Sequence, residues 1–191
     1  TVYTKPPAQF QITPPSLCVG NQFTITDTSS ATIAVNQWYW DFGNSITQTI
    51  TTGPSVTYTY PVSGTYTIKH VSKSSGTCVS DTVTRILQVF AKPVIGYNYT
   101  GGCLPANGLV QFNSTTTVPD GQTLSYSWNF GDPNANGANP NTSTLANPTH
   151  NYSVFGTYTI QLSVTTSNGC TKDSTFTATF NLKPTLSYPA L

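Results

Sequence analysis

Alternating apolar and polar residues dominate this chain, and they predict β-strands. Trp38, Trp40 and Phe42 fall on one side of a period-two segment, and Tyr39 and Asp41 fall on the other. Successive side chains of a strand point to opposite faces of a sheet, so the segment predicts a strand with a buried aromatic face. No stretch of useful length has the period of a helix. The pattern therefore predicts an all-β protein.

Similar runs recur along the chain and are separated by turns rich in Gly, Pro, Asn and Ser. About seven short strands in each half, with a Trp on the third strand, are typical of an immunoglobulin-like β-sandwich. The predicted strands are residues 8–12, 23–26, 37–42, 46–50, 56–60, 65–73 and 78–89 in the first half, and 94–97, 108–113, 124–130, 150–152, 157–165 and 174–182 in the second.

The segment around Trp40 occurs twice. Trp40-Asp41-Phe42-Gly43-Asn44 returns as Trp128-Asn129-Phe130-Gly131-Asp132, and Gly64-Thr65-Tyr66-Thr67-Ile68 returns as Gly156-Thr157-Tyr158-Thr159-Ile160. The offset is 88 at the Trp and 92 at the Gly. Two related units of roughly ninety residues therefore follow one another.

The repeat also predicts the domain boundaries. Lys92-Pro93 opens the second unit, which gives domains at residues 5–91 and 92–182. Residues 1–4 are expected to be a remnant of a preceding unit. Lys183-Pro184 repeats the Lys-Pro opening, so residues 183–191 are expected to begin a further repeat or form a tail.

Composition excludes several classes of protein. Charged residues are 7% of the chain, and the net charge is +1 with no basic stripe. A nucleic-acid-binding surface needs such a stripe, so no nucleic-acid partner is expected. No apolar run is long enough to span a bilayer, and a monomer that does not span the membrane is expected.

The four cysteines fall two in each unit and form no Cys-x-x-Cys pair, which argues against a zinc site. Even pairing within each unit predicts the disulfides Cys18–Cys78 and Cys103–Cys170, formed in an oxidising compartment. Each bridge is expected to staple one end of its sandwich. The alternative is four buried free thiols.

At the repeated segments the chain resembles the PKD (polycystic kidney disease) domain family. The family signature is Trp-Asp-Phe-Gly-Asp-Gly, then His-Thr-Tyr, then Gly-Thr-Tyr-Thr-Val. His150-Asn151-Tyr152 fits the second element better than Tyr58-Thr59-Tyr60 does. The resemblance implies two tandem immunoglobulin-like sandwiches. The motif residues expected in the cores are Trp40, Phe42, Tyr60, Tyr66, Trp128, Phe130, Tyr152 and Tyr158.

A Gly- and Asn-rich loop at residues 132–147 is a candidate metal site. Asp132, Asn134 and Asn136 match the first half of a D-x-N-x-N-G calcium loop. The closing position is Ser143, which offers no bidentate carboxylate. The expectation is a weak Ca²⁺ site at most, and otherwise a surface loop; no other cofactor is expected.

Asp41 and Asn129 occupy matching positions on the face opposite the core Trp. They either contact a ligand or cation, or accept hydrogen bonds from the amides of the adjoining turn, as Asx side chains readily do. His70 falls at an inward position and His150 in the second motif element. Neither has a second ligand at metal spacing, so both are expected to be structural.

Two further sets of residues are candidates for glycan contact. Tyr39, Tyr58, Tyr97 and Tyr99 either form an aromatic platform for sugar stacking or pack across strands. Thr82 and Ser174 follow Asp residues in segments that resemble the Asp-Ser/Thr-apolar sites of bacterial O-glycosylation.

No motif selects a catalytic residue, since Glu and Gly-x-Ser-x-Gly are both absent. The chain looks like PKD repeats of very large surface proteins of gliding and biofilm-forming bacteria. The resemblance implies an extracellular, non-catalytic structural or adhesive module, a stiff spacer within a cell-surface adhesin. Its partners would be neighbouring repeats and surface polysaccharide or protein. The alternative is a carbohydrate- or protein-binding accessory domain of a secreted hydrolase.

Overall fold

The structure, a computed structural model, describes residues 5–29, 34–75 and 78–184. No helix occurs among these residues, so none of them forms a helix that could cross a membrane. The chain divides into two compact units, Thr1–Ala91 and Lys92–Leu191, here called domain 1 and domain 2. The division falls where the Lys92-Pro93 repeat predicts it. Residues 1–4 and 185–191, assigned above to neighbouring repeats, lie outside the described residues.

Domain 1 is a β-sandwich. One sheet has the order β1-β3-β6 and the other has the order β2-β8-β7-β4-β5. Its strands are β1 (Phe10–Thr13), β2 (Ser16–Cys18), β3 (Gln22–Asp27), β4 (Val35–Asp41), β5 (Thr47–Ile50), β6 (Ser55–Thr59), β7 (Gly64–Ser74) and β8 (Val83–Phe90).

Domain 2 repeats the plan. Its sheets have the orders β14-β11-β9 and β10-β16-β15-β12-β13. Its strands are β9 (Tyr97–Tyr99), β10 (Gly102–Cys103), β11 (Leu109–Ser114), β12 (Leu124–Asn129), β13 (Thr142–Ser143), β14 (Thr149–Asn151), β15 (Gly156–Thr166) and β16 (Thr171–Asn181). The all-β, immunoglobulin-like expectation is confirmed.

The alternation in β4 has the predicted orientation. Trp40 and Phe42 are fully buried and Trp38 is 8% exposed, whereas Tyr39 on the opposite face is 39% exposed. Each domain has one core cluster that combines side chains from both of its sheets. Burying a large aromatic side chain contributes about 2–3 kcal/mol, so these inward faces are what holds the two sheets together.

The motif glycines are required by close backbone contact. Gly43 has φ +75°, and a Cβ there would lie 2.6 Å from the carbonyl oxygen of Thr67. Gly131 has φ +63°, and its Cβ would lie 2.2 Å from the carbonyl oxygen of Thr159. A side chain at either position would meet both a strained backbone and a neighbouring strand. This explains the Gly after each motif Phe.

A buried tyrosine joins the two sheets of each domain. The Tyr60 hydroxyl donates to the carbonyl of Phe42 at 2.5 Å, and the Tyr152 hydroxyl donates to the carbonyl of Phe130 at 2.8 Å. Burial raises the pKa of both phenols well above the usual value, and neighbouring acidic groups raise it further. The phenols therefore remain proton donors at any physiological pH.

A second tyrosine in each domain fixes the turn before strand β7 or β15. The Tyr66 hydroxyl donates to the carbonyl of Val62 at 2.8 Å, and the Tyr158 hydroxyl donates to that of Val154 at 2.6 Å. Hydrogen bonds from Tyr to backbone a few residues upstream are characteristic of immunoglobulin-like corners. The Gly-Thr-Tyr element therefore serves a local structural purpose.

The two cysteines of domain 1 lie at opposite ends of the sandwich. Cys18 is in register with Phe90, next to Val89, which pairs with Gly64 at the start of β7. The carbonyl of Cys78 accepts a hydrogen bond from Ser74, at the end of β7. Ten residue steps along a strand span about 33 Å. Disulfide formation needs Cα atoms within about 7 Å, so the predicted Cys18–Cys78 bridge is wrong.

Domain 2 separates its cysteines in the same way. Cys103 pairs with Asn181, and the adjacent Phe180 pairs with Gly156, the first residue of β15. Cys170 lies at the other end, where its carbonyl accepts a hydrogen bond from Thr166. The predicted Cys103–Cys170 bridge is therefore wrong as well. Cys18 and Cys170 are disulfide-bonded, whereas Cys103 carries an exposed free thiol.

Removing a buried hydroxyl should destabilise its domain selectively. Tyr60→Phe should lower the free energy of unfolding of domain 1, and Tyr152→Phe that of domain 2, each by about 1–3 kcal/mol, because a buried carbonyl loses its donor. Urea titrations followed by amide NMR signals measure each domain separately. The control is Tyr39→Phe, whose surface hydroxyl should change stability by less than about 0.5 kcal/mol. Equal effects of all three substitutions would contradict the assignment.

The cysteine assignment can be tested by alkylation. Iodoacetamide should label Cys103 in the native protein, because the thiol is free and exposed. Cys18 and Cys170 should be labelled only after reduction, as peptide mass spectrometry can show. Cys103→Ser provides the control for the native reaction. Labelling of Cys18 or Cys170 without a reductant would show that the assignment is wrong.

Candidate functional site

The side chains of Asp41 and Asn129 accept hydrogen bonds from backbone amides of their own turns. Asp41 Oδ1 accepts the Gly43 amide at 2.8 Å, and Asn129 Oδ1 accepts the Gly131 amide at 2.9 Å. Asp41 also faces Lys69, with its Oδ2 3.3 Å from Nζ. The geometry supports the Asx-turn interpretation over a ligand contact, because Asn and Asp make the same bond at the same position.

Asp132 and His150 form a buried pair in domain 2. Asp132 Oδ2 lies 3.0 Å from His150 Nε2, and each side chain is 1% exposed. The other carboxylate oxygen accepts the Asn134 amide at 2.9 Å. The His150 ring stacks on Phe130, with ring centroids 4.5 Å apart. The pair fixes the start of the loop at residues 132–147 to strand β14.

Protein groups already engage the oxygens of two of the three predicted calcium ligands, Asp132 and Asn136. Both oxygens of Asp132 are engaged by protein groups, as above. Asn136 Oδ1 accepts the amides of Ala138 and Asn139, at 3.0 and 3.2 Å. Within the described ranges, no three His, Cys, Asp or Glu side chains are grouped for a metal ion. Weak Ca²⁺ binding at Asp132, Asn134 and Asn136 therefore stays a prediction without support from this geometry.

Domain 1 has a different pair at the matching position. Asn44 Nδ2 donates to the Tyr58 hydroxyl at 3.0 Å, where domain 2 has Asp132 and His150. The Tyr58 ring stacks on Phe42, with centroids 3.9 Å apart. The two domains thus use the same site for a polar contact between the motif turn and the following strand.

His70 is buried in the core of domain 1, as its inward position predicts. Its Nδ1 lies 3.1 Å from the carbonyl oxygen of Tyr39, and its Nε2 lies 3.5 Å from Asp27 Oδ1. The ring stacks on Trp40, with centroids 3.9 Å apart. Domain 2 has Leu162 in the corresponding place, so this end of the core is more polar in domain 1.

Asp27 anchors that polar region. Its carboxylate accepts the indole N–H of Trp38 at 2.6 Å and the Ser29 amide at 2.9 Å. Burial would raise the pKa of this carboxyl, but the contacts with His70, Ser29 and Trp38 together hold the pKa below its ordinary value. Asp27 is therefore a charged acceptor inside the fold, and none of the described Ser, Thr or Tyr hydroxyls is hydrogen-bonded to His70.

The structure does not contain the aromatic platform for sugar stacking that was one interpretation of the four tyrosines. Of its four tyrosines only Tyr39 is exposed. Tyr58 packs on Phe42, whereas Tyr97 stacks on Phe176 with centroids 3.8 Å apart in domain 2. Tyr99 contacts the ring of Phe112, with centroids 5.9 Å apart. These tyrosines contribute to cross-strand packing, which was the alternative interpretation.

The two O-glycosylation candidates differ in accessibility. Thr82 is exposed in the loop before β8. Ser174 lies in β16, is partly buried, and borders a shallow cavity of about 400 Å³ beside Asp173. Glycosylation stays a prediction at both positions, and the geometry is more favourable at Thr82.

A cavity that the sequence did not predict lies beside the Asp132–His150 pair. It has a volume of about 560 Å³ and is bordered by the loop at 132–147, by strand β14 and by Leu109. The loop carries the four extra residues by which the offset between the repeats grows from 88 to 92. That offset and the Gly- and Asn-rich composition of the loop are sequence signals for a structure specific to domain 2.

The PKD domain family model matches residues 4–87 and 91–181. Two curated relatives are similar over shorter stretches. Collagenase ColA of Bacillus cereus is 47% identical over 64 residues, which are 33% of this chain and 6% of the relative. A microbial collagenase of Vibrio alginolyticus is 41% identical over 69 residues, 36% of this chain and 8% of the relative. The chain thus spans less than a tenth of these relatives' length.

Solved PKD domains are also similar. The PKD1 domain of Vibrio anguillarum Epp has 26% sequence identity and a TM-score of 0.40, and the match covers 49% of this chain and 99% of that one. The PKD1 domain of the Vibrio cholerae metalloprotease PrtV has 24% identity and a TM-score of 0.38, and the match covers 45% and 98%. Since the family model matches both repeats, the chain belongs to the PKD domain family and contains two tandem PKD domains.

Proposed function

We propose that the chain is a non-catalytic structural and adhesive module, a stiff spacer within a large extracellular adhesin at the cell surface. The matched family consists of non-catalytic modules. The observation that carries the proposal is the arrangement of the second and last strands of each domain. In both domains an early strand pairs in parallel with the last strand.

Parallel pairing of this kind resists stretching. In domain 1, β2 pairs with β8 from Ser16–Gln88 to Cys18–Phe90, and the Val19 amide adds a hydrogen bond to the Phe90 carbonyl at 2.8 Å. In parallel strands, the chain enters β2 at one end and leaves β8 at the other. Tension between the domain's termini therefore acts along the strands and loads these hydrogen bonds together.

Domain 2 has the same arrangement in a shorter form. Strand β10 pairs with the end of β16, and the Leu104 amide donates to the Asn181 carbonyl at 2.9 Å. A spacer that bears tension needs this property in each of its domains. The repeated parallel pairing is therefore consistent with a load-bearing role for both.

The surroundings of the two histidines, which are the candidate general bases, support a non-catalytic role. His70 and His150 are buried, and each is opposed to an Asp carboxylate. Neither makes a hydrogen bond to a Ser, Thr or Cys side chain within the described part of the chain. A nucleophile with an adjacent base is the minimum for acyl transfer, so the geometry offers no such machinery.

The proposed extracellular location has independent chemical support. Cys18 and Cys170 are disulfide-bonded, and disulfides persist mainly in oxidising compartments. Neighbouring repeats of the same protein are the proposed partners, and surface polysaccharide or protein is the proposed target.

A second candidate function is favoured by the similarity to collagenases. The matched segments of 64 and 69 residues are each shorter than one PKD domain, which suits a role as a protein-binding accessory region of a secreted hydrolase. Co-sedimentation of the purified two-domain chain with collagen fibrils would favour this candidate. Absence of co-sedimentation would favour the spacer.

Load bearing can be measured by pulling single molecules from their termini in reducing buffer, where the chain can extend fully. Val19→Pro removes one hydrogen bond of the β2–β8 pairing and should lower the unfolding force of one of the two domains. The matched control is Val56→Ala in β6, a buried position outside that pairing. Both changes should lower the chemical stability of domain 1 by about 1–3 kcal/mol.

The expected result is a clear drop in force for Val19→Pro and a much smaller one for Val56→Ala. If force followed chemical stability alone, both variants would weaken equally. That outcome would contradict a load-bearing role for the parallel strands.

A further inference from the structure

We propose that the cavity beside the Asp132–His150 pair in domain 2 binds a neutral saccharide. The cavity, called here the Asn-loop cavity, is formed by the loop at 132–147 and strand β14. The proposal goes beyond the spacer role and stands whether or not the chain bears tension.

The loop is held in place before any ligand binds. Asn139 Nδ2 donates to the carbonyl of Asn151 at 2.6 Å, and Asn139 Oδ1 accepts the Asn151 amide at 3.3 Å. The backbones of Asn136 and Asn139 are bridged by two hydrogen bonds, of 3.0 and 3.1 Å. Asn141 Oδ1 also accepts the amide of Asp132 at 2.9 Å. A preformed wall of this kind reduces the entropy lost on binding.

His150 belongs to the strand that borders this cavity, and its side chain is 1% exposed. Its Nε2 lies 3.0 Å from Asp132 Oδ2, and its ring stacks on Phe130. These contacts hold strand β14 against the start of the loop, so His150 fixes the wall of the cavity.

The other groups on the wall are neutral amides and hydroxyls. The side-chain amide of Asn134 makes no hydrogen bond within the described ranges, and the NH₂ of Asn136 is likewise unused. Each amide can both donate and accept, as a sugar hydroxyl can. Among the described residues, no Asp, Glu, Lys or Arg side chain borders the cavity. These groups favour an uncharged polyhydroxyl ligand over an ionic one.

The remaining walls are apolar. Leu109 is 43% exposed, and Ala138 and Pro140 border the same space. Such side chains suit the C–H face of a sugar ring, while the amides meet its hydroxyls. A volume of about 560 Å³ is within the usual range for small-molecule sites and accommodates one or two sugar rings. Extended peptides are instead recognised along a sheet edge through backbone hydrogen bonds.

Domain 1 offers an internal comparison. Tyr58 occupies the position of His150, stacks on Phe42 and bonds Asn44. Its hydroxyl accepts a hydrogen bond from Asn44, and the loop that borders the cavity in domain 2 is four residues shorter in domain 1. Saccharide binding is expected in domain 2 and not in domain 1.

The test is an NMR titration of the isotopically labelled two-domain chain with millimolar glucose, galactose, mannose and N-acetylglucosamine. At least one sugar should shift amide signals of residues 132–153, including the side-chain amide signals of Asn134 and Asn136, and leave domain 1 unchanged. Asn134→Ala, which removes a side-chain amide that makes no hydrogen bond within the described ranges, should weaken binding about fivefold to tenfold.

Ala138→Trp should abolish binding by filling the cavity from an exposed position. The matched control is Thr177→Trp, which adds the same ring on the exposed face of β16 and should bind as the unmodified chain does. The inference is overturned if none of the sugars shifts these signals, or if Ala138→Trp binds normally. It is also overturned if glucuronate or a gelatin-derived peptide binds there and the neutral sugars do not. Because this readout involves no force, its failure would leave the spacer proposal intact.

Discussion

The hydrogen bond from a buried tyrosine hydroxyl to the carbonyl of the motif phenylalanine is the contact on which each sandwich depends. Phe42 and Phe130 directly follow a strand of the five-stranded sheet, and the tyrosines directly follow a strand of the three-stranded sheet. The bond therefore ties the two layers at a point where both chains leave the sheet. The glycine after each phenylalanine lets the backbone turn against the neighbouring strand, and the preceding Asp or Asn accepts the amide of that glycine. Each motif residue supports the others, which is why both copies retain the motif while the surrounding sequence differs.

Around this shared frame the domains differ at a few interior positions. One copy closes the end of the sandwich with Tyr58 and Asn44, whereas the other places His150 and Asp132 there and leaves a cavity beside a longer loop. The exchange alters neither the strand order nor the core contacts of the motif. A change of side chains in one domain has therefore created a surface that the other domain lacks. The hydrogen bonds that define the fold are the same in both domains.

Local pattern was enough to predict much of the molecule. The alternation at Trp38, Trp40 and Phe42 and the repetition of that segment predicted the strands, the sandwich and the division at Lys92. Strands β2, β10 and β13 were missed because two or three residues cannot display a period. The cysteine pairing failed for a different reason, since spacing along the chain does not reveal at which end of a sheet a residue lies. The cavity could not be predicted, because its walls depend on hydrogen bonds such as those between Asn139 and Asn151.

The separation of the cysteines within each domain has a consequence for how such modules can be joined. Two cysteines at the same end of a domain can form a disulfide with each other, whereas cysteines at opposite ends of the domain cannot. Each of them can then form a disulfide only with a thiol outside its own domain. The exposed thiol of Cys103 cannot be protected by a partner within its own domain, so it is open to exchange with disulfides on other molecules.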